Sequence, residues 1–335
     1  MRSLYVMGGR QRKSFENIEA EWFLFEKALV LRVDTETGKG EVCLEYETPL
    51  EARASEKSSV MFKSGSLKDN RLYLCTSTEV MIYEVPSFKR LAYISLPCFN
   101  DLHHVCPAPN GNLMIAATGM DMVLEITPEG KVVREWSALG DDPWQRFSRE
   151  VDYRKVATNK PYRAHANYVF WIGDEPWVGR SDLKDAVSLE NPRRRIDVGI
   201  NCVHDGIPFN GSIYFTTVDG NLVAANPDTL RVDRVIDLKT IDNPNNALLG
   251  FCRGIFIEDE KKFWIGFTRV RQTKWKEKVA WIKRTLIAAQ KPTHLALYDI
   301  ERQRLLKEIN LENFGMNAVF NMFPTENALP TAAKA

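Results

Sequence analysis

The stretch Val80-Met-Ile-Tyr-Glu84-Val-Pro-Ser-Phe-Lys89-Arg-Leu-Ala-Tyr-Ile94 decides the fold. A strand of alternating apolar residues is followed by a polar turn, and a second alternating strand begins at the basic residue after the turn. This pattern is typical of a β-hairpin with one buried face. It recurs in Ala28–Val42, Met122–Glu135, Leu222–Ile236 and Leu295–Ile309, with a weaker copy in Ala186–Val198. In the five strong copies, the residue that starts the turn lies five positions before a lysine or arginine, as Asp34 does before Lys39.

A second repeated element lies upstream of several hairpins: an apolar strand, a turn, and a strand that ends in small or polar residues. Two examples run from His104 through Asn110-Gly111 and from His204 through Asn210-Gly211. The Asn-Gly pair supplies the positive-φ positions that a tight hairpin needs. Together the two elements make a four-stranded antiparallel unit of about 40–50 residues, the size of a β-propeller blade.

The units number six if the two ends of the chain share a blade. Arg2–Met7 is similar to a second strand whose inner strand is missing, and Asn317–Phe323 reads as an inner strand with nothing after it. Joining them would close the ring and remove exposed sheet edges. The sequence therefore predicts an all-β, six-bladed propeller closed by the N- and C-terminal strands. Seven blades, a β-sandwich or two small β domains remain alternatives at this point.

Three segments interrupt the repeat, near residues 9–27, 138–162 and 271–292. The first and third separate a second from a third strand and the middle one joins two blades, so we expect all three on one face of the ring. The third has good helix formers up to Pro292 and predicts a helix. We expect one domain over residues 1–325 and a flexible tail over residues 326–335.

Composition narrows the class of protein. The chain has 335 residues with 45 Lys and Arg against 44 Asp and Glu, a formal net charge of +1. A nucleic-acid surface needs an excess of cations, so we expect no nucleic-acid partner. No apolar run approaches the roughly 20 residues that span a bilayer, and the first residues lack the apolar segment of a signal peptide. We expect a cytoplasmic protein without membrane contact, whose six scattered cysteines are reduced.

The inner strands bring an unusual set of residues into register. His104 and His204 each stand nine positions before the first apolar residue of the next strand, and the same count places Lys63 in the first blade. The corresponding starts elsewhere contain His165, Arg253 and Asn317. We expect these six side chains at the mouth of the channel, on the face of the insertions. Either Tyr162 or Tyr168 could join them beside His165.

Three imidazoles from separate strands, His104, His165 and His204, suit a divalent ion such as Zn²⁺ or Fe²⁺ with a position open for substrate. An open metal site polarises a substrate or activates water. In a metal-free alternative, the histidines act as general acid and base while Arg253 and Lys63 bind an anion. In a third interpretation, the histidines have no chemical role and only satisfy buried backbone carbonyls and waters.

The blade pattern resembles six-bladed propellers of the gluconolactonase and strictosidine synthase type and the peptidyl-amidating lyases. In those lyases three histidines from separate blades hold a channel zinc beside an arginine. The resemblance implies that His104, His165 and His204 are ligands and that Arg253 balances charge on the substrate. The calcium chemistry of the gluconolactonase type fits less well, because the ring has few acids and Asp205 should point away from the channel.

These observations predict an enzyme that acts on a small polar or anionic molecule at the channel mouth. The reaction would be a lyase, hydrolase or isomerase step with His104, His165, His204 and Arg253 as catalytic residues. Lys63, Arg253, Asn317 and Tyr162 would bind the substrate. The competing hypothesis is a non-catalytic binding or scaffold propeller that holds a protein partner on its outer face.

Overall fold

The computed structural model describes residues 2–13, 21–270 and 290–326. The described part contains 24 β-strands in six antiparallel four-stranded sheets and no α-helix. The predicted six-bladed propeller is therefore confirmed. The predicted helix over 271–292 lies almost wholly outside the described residues, and so does the predicted flexible tail beyond residue 326.

Each sheet is one blade, whose strands follow one another from the channel outward. The first blade along the chain consists of β4 (Ser66–Lys68), β5 (Arg71–Cys75), β6 (Val80–Glu84) and β7 (Lys89–Ile94). The second consists of β8 (Leu102–Pro107), β9 (Leu113–Ala117), β10 (Met122–Ile126) and β11 (Val132–Ser137). The third consists of β12 (Ala166–Ile172), β13 (Glu175–Arg180), β14 (Asp185–Ser188) and β15 (Arg195–Asp197). The fourth consists of β16 (Val203–Phe209), β17 (Ser212–Thr217), β18 (Asn221–Ala225) and β19 (Val232–Asp237). The fifth blade is β20 (Phe251–Ile257), β21 (Lys262–Thr268), β22 (His294–Asp299), β23 (Arg304–Asn310).

The last blade joins the two ends of the chain. Its strands lie in the order β24 (Ala318–Pro324), β1 (Ser3–Gln11), β2 (Phe25–Asp34), β3 (Gly40–Tyr46). This closure confirms the prediction. It depends on Gly8, because a Cβ atom there would lie 1.7 Å from the carbonyl oxygen of Ala318.

Short 3-10 turns are the only other regular elements in the described part of the chain. They are Glu21–Phe23, Leu50–Ala52, Thr118–Met120, Tyr153–Lys155, Leu238–Thr240 and Leu311–Phe314.

The predicted hairpins form the two outer strands of each blade. Local polar groups set their turns: the Oδ1 atom of Asp34 accepts backbone N–H bonds from Glu36 and Thr37, and Asn226 and Asp299 do the same in their own hairpins. Short polar side chains that bond the backbone two residues ahead favour turns over continued strand.

The hydrophobic core is divided among the contacts between neighbouring blades. One cluster packs Ile82 of the first blade against Ile115 of the second, and another packs Val6 of the closing blade against Trp264 of the fifth. Burying both faces of each sheet requires strands that are apolar on both sides, as the fully buried β9 and β18 are. The ring thereby covers sheets that could not be stable alone.

Candidate functional site

A cavity of about 410 Å³ lies at the channel mouth. Its wall includes Trp22 from the first insertion and residues between Arg154 and Tyr162 from the second, so these two insertions lie on the predicted face. Asn100 holds the second insertion in place by donating from Nδ2 to the carbonyl oxygens of Tyr153 and Val156, both at 2.8 Å.

Four of the predicted residues line the cavity: Lys63, Tyr162, His165 and Arg253. The other three residues that the sequence predicted at the mouth, His104, His204 and Asn317, do not line this cavity. The structure adds Asp101, His103 and Asp182, which the sequence prediction missed.

A β-bulge in each of five inner strands explains the difference. The pairing register shifts between Leu102 and His104, between Cys252 and Ile255, and between Val319 and Asn321 of the closing blade. These shifts leave residues of the inner strands unpaired: His103 in the first, Arg253 and Gly254 in the second, and Phe320 in the third. All of these except Gly254 line the cavity. A bulge redirects side chains without any change in apolar pattern, so counting positions selected His104 in place of its neighbour. The one feature of the sequence that could have indicated His103 is its place directly before His104.

Asp101 organises the polar side of the cavity. It accepts hydrogen bonds from Lys63 Nζ at 2.5 Å and from the Tyr162 hydroxyl at 2.6 Å, and its Oδ2 atom lies 3.4 Å from His103 Nε2. Burial opposes ionisation of this carboxyl group, but the Lys63 ammonium and His103 hold its pKa well below the usual value. The site therefore contains a buried ion pair that also fixes the Tyr162 ring.

Burial and the nearby Lys63 charge lower the pKa of His103 well below its usual value, against the opposing effect of Asp101. Its ring meets that of His165 edge to face, with centroids 4.9 Å apart.

His165 and Asp182 form an ion-pair contact in the cavity wall. The Nδ1 atom of His165 lies 3.3 Å from Asp182 Oδ1, and the His165 side chain is 23% exposed. Tyr162 contacts the ring edge to face at 5.2 Å. The described residues supply no hydrogen bond to Nε2 of His165, and that nitrogen is left for a ligand.

The backbone at His165 is held in an uncommon conformation, with φ at +57°. The carboxylate of Asp121 accepts the consecutive backbone N–H groups of Arg163, Ala164 and His165 at 2.8, 3.0 and 2.8 Å. Asp121 is itself paired with Arg146 at 2.6 Å. Non-glycine residues at positive φ are enriched at functional sites, where the surroundings hold the strain.

His104 has a structural role. Its Nδ1 atom accepts the backbone N–H of Val169 and its Nε2 atom donates to the carbonyl of Gly65, both at 3.1 Å. The ring stacks on Tyr168 with centroids 3.7 Å apart. Burial lowers the pKa of His104 to about 3. Both nitrogens are occupied by the backbone, and Tyr168 is buried beside it rather than at the mouth.

His204 and Asn317 also lie away from the cavity wall. His204 is 3% exposed, and its Nδ1 atom lies 3.7 Å from Asp205 Oδ1, beyond hydrogen-bond distance. Asp205 instead accepts the backbone N–H of Gly254, which joins two blades. Asn317 accepts the N–H of Gln11 at 2.9 Å and so helps to close the last blade.

These positions do not fit the metal ion that the sequence predicted. Within residues 2–13, 21–270 and 290–326, no three His, Cys, Asp or Glu side chains are grouped so that they could hold one ion. His104 would have to break two backbone hydrogen bonds to become a ligand.

No protein-family model matches the chain, and no curated protein matches its sequence. Among solved structures, a protein of unknown function from Bacteroides caccae is similar over 96% of this chain and 97% of its own, with a TM-score of 0.60 and 13% identity. A chain of the Mitotic Checkpoint Complex matches at 9% identity and a TM-score of 0.47, over 84% of this chain and 74% of its own. The likeness to the Bacteroides caccae protein supports the propeller fold alone.

No helix among the described residues is long and apolar enough to cross a membrane.

Proposed function

We propose that the chain is an acid–base enzyme that acts, without a metal, on a small anionic molecule in the mouth cavity. The observation that carries this proposal is the pair His165–Asp182, with Nδ1 and Oδ1 at 3.3 Å, in the wall of a 410 Å³ cavity. Cavities of this size take small molecules. A carboxylate beside one imidazole nitrogen is the arrangement that orients a histidine for proton transfer at the other.

In this mechanism His165 takes a proton from the substrate at Nε2. Asp182 holds the Nδ1 proton and stabilises the imidazolium that forms. The imidazolium then returns a proton, which can exchange with solvent because His165 is 23% exposed. Protonation of another atom of the same molecule completes an isomerisation; protonation of a leaving group, as its bond to carbon breaks, completes an elimination. Lys63 and Arg253 supply positive charge for the anionic group of the substrate, and Asp101 keeps Lys63 and Tyr162 in place.

The test is exchange of carbon-bound hydrogen in D₂O, followed by proton NMR over a panel of small keto acids and phosphorylated ketones. We expect exchange to fall by about 100-fold or more in His165→Asn, the usual range for loss of a general acid or base. Asp182→Asn should give a smaller loss. Asp141→Asn is the matched control, because Asp141 lies 3.6 Å from Arg163 and does not line the mouth cavity.

Exchange that survives in His165→Asn would refute the assignment of the base. A panel in which ligands bind but none exchanges would favour the non-catalytic binding propeller.

A further inference from the structure

The mouth cavity has two chemically different sides. Lys63, Asp101, His103, Tyr162 and His165 form the polar side described above. The other side is apolar, and its main contributors are Trp22, Met61, Val218, Phe251 and Phe320.

Arg253 lies against two aromatic rings of the apolar side. Its guanidinium carbon is 4.4 Å from the centre of the Phe320 ring and 6.0 Å from that of Phe251. Lys63 Nζ lies 5.7 Å from the centre of the same Phe320 ring. The N–H groups of a guanidinium lie in its own plane, in a fork that matches a carboxylate in a two-point contact.

A carboxylate bound in this way would place its carbon skeleton beside the phenylalanine rings. Apolar skeletons gain from that contact, because the area is removed from water. Hydroxyl groups would lose hydrogen bonds to water there and find no replacement on the rings.

Three hydroxyl groups of the cavity wall are already engaged by the protein. Thr48 donates to the buried Glu79 at 2.6 Å, and Thr78 donates to the carbonyl of Ala52 at 2.5 Å. The Ser59 hydroxyl accepts the backbone N–H of Phe25 at 3.1 Å.

We infer that the ligand is an amphipathic carboxylate, with an aromatic or alkyl group close to the acid group, rather than a polyhydroxylated sugar acid. This inference rests on the proposed function for the location of the site and goes beyond it in naming the ligand class.

The test is calorimetric titration with three probes of comparable size: 3-phenylpropanoate, D-gluconate and 3-phenylpropan-1-ol. The first two carry the same single negative charge, and the third keeps the ring but lacks the charge. We expect 3-phenylpropanoate to bind about 10-fold more tightly than D-gluconate, since burial of about two methylene-sized groups is worth that much. We expect a margin of about 10-fold over 3-phenylpropan-1-ol as well, because the alcohol lacks the charge-assisted hydrogen bonds of a carboxylate to Arg253.

Arg253→Met removes the charge and keeps a long apolar side chain. It should weaken 3-phenylpropanoate by about 10-fold and leave 3-phenylpropan-1-ol unchanged. If this variant fails to fold, alkylation of Cys202 in the unmodified protein is the second measurement, because Cys202 lines the same cavity. 3-Phenylpropanoate should slow alkylation at lower concentration than D-gluconate does.

Gluconate binding as tightly as 3-phenylpropanoate, or no binding of either, would overturn the ligand class. The proposed chemistry fails separately, because 3-phenylpropanoate could bind as expected while no keto acid exchanges hydrogen through His165.

Discussion

The Oδ1 atom of Asp121 accepts the backbone N–H of His165 at 2.8 Å, so a buried carboxylate in one blade sets the conformation of the candidate base in the next. The same carboxylate accepts the N–H groups of Arg163 and Ala164 and pairs with Arg146. Successive N–H groups that converge on one anion form a concave anion-binding site, here filled by the protein itself.

Asp121→Ala should lower the free energy of unfolding by about 3–5 kcal/mol, because it leaves an arginine and three backbone donors without their shared acceptor. Urea denaturation measures this change. Asp141→Ala is the control. The ion pair of Asp141 with Arg163 and its hydrogen bond from the Ser137 hydroxyl are both exposed, so their loss should cost about 1 kcal/mol or less. Equal effects in the two variants would contradict the role given to Asp121.

Substitutions of His165 should separate backbone strain from chemistry. The φ of +57° suits Asn but not a β-branched residue. We expect His165→Asn to retain stability within about 0.5 kcal/mol. His165→Val should be destabilised by about 1–3 kcal/mol. Thermal unfolding of both variants measures the difference, and a Val variant as stable as the Asn variant would show that the positive φ is not maintained.

Closure of the ring should depend on Gly8. In Gly8→Ala the new methyl group would meet the Ala318 carbonyl oxygen at 1.7 Å, and the terminal strands would have to separate. We expect a loss of about 3 kcal/mol, at the upper end of overpacking effects. Gly179→Ala is matched, because Gly179 is also in the second strand of a blade but its nearest contact would be 3.5 Å away. Denaturant unfolding should show that variant within about 1 kcal/mol of the parent.

Buried histidines should make the fold sensitive to acid. The pKa values of His103, His104, His204 and His294 are all lowered by burial, to about 3 for His104 and about 4 for His294. The unfolded chain binds these protons near pH 6.5, whereas the folded chain does not, so stability falls as the pH drops below about 6.5.

Each such histidine lowers the free energy of unfolding by up to about 1.4 kcal/mol for each unit by which the pH falls between its pKa in the unfolded chain and its pKa in the folded chain. His104→Gln should therefore reduce the slope of unfolding free energy against pH by about that amount between pH 6 and pH 4. Parallel slopes for the parent and this variant would show that folding does not lower the pKa of His104.

Metal binding gives a direct test of the role of His104. Since both of its ring nitrogens bond the backbone, His104→Ala should leave the affinity of tag-free protein for Zn²⁺ unchanged within about 2-fold. Zinc titration with elemental analysis of the dialysed protein is the measurement. Stoichiometric zinc that is lost in both His104→Ala and His165→Ala would restore the three-histidine site.

Much of the fold could be predicted because its determinants are local. Alternation of apolar residues specifies strands with buried faces, and Asp34, Asn226 and Asp299 specify turns through bonds to the backbone two or three residues ahead. The terminal strands could be matched because each half lacked the other. Lys63, Tyr162, His165 and Arg253 were also identified at the mouth, since the starts of inner strands meet there.

The rest depended on tertiary structure. Whether His103 or His104 faces the cavity is decided by a bulge, which a two-residue period cannot reveal because one skipped residue reverses the direction of the next side chains. The pairings of Asp101 with Lys63 and of Asp121 with His165 join residues 38 and 44 positions apart, and only the packing of neighbouring blades brings them together. The sequence by itself thus determined the ring and the place of its mouth, where local hydrogen bonds and apolar alternation suffice. The identity of the groups that meet in the mouth was decided by contacts between blades.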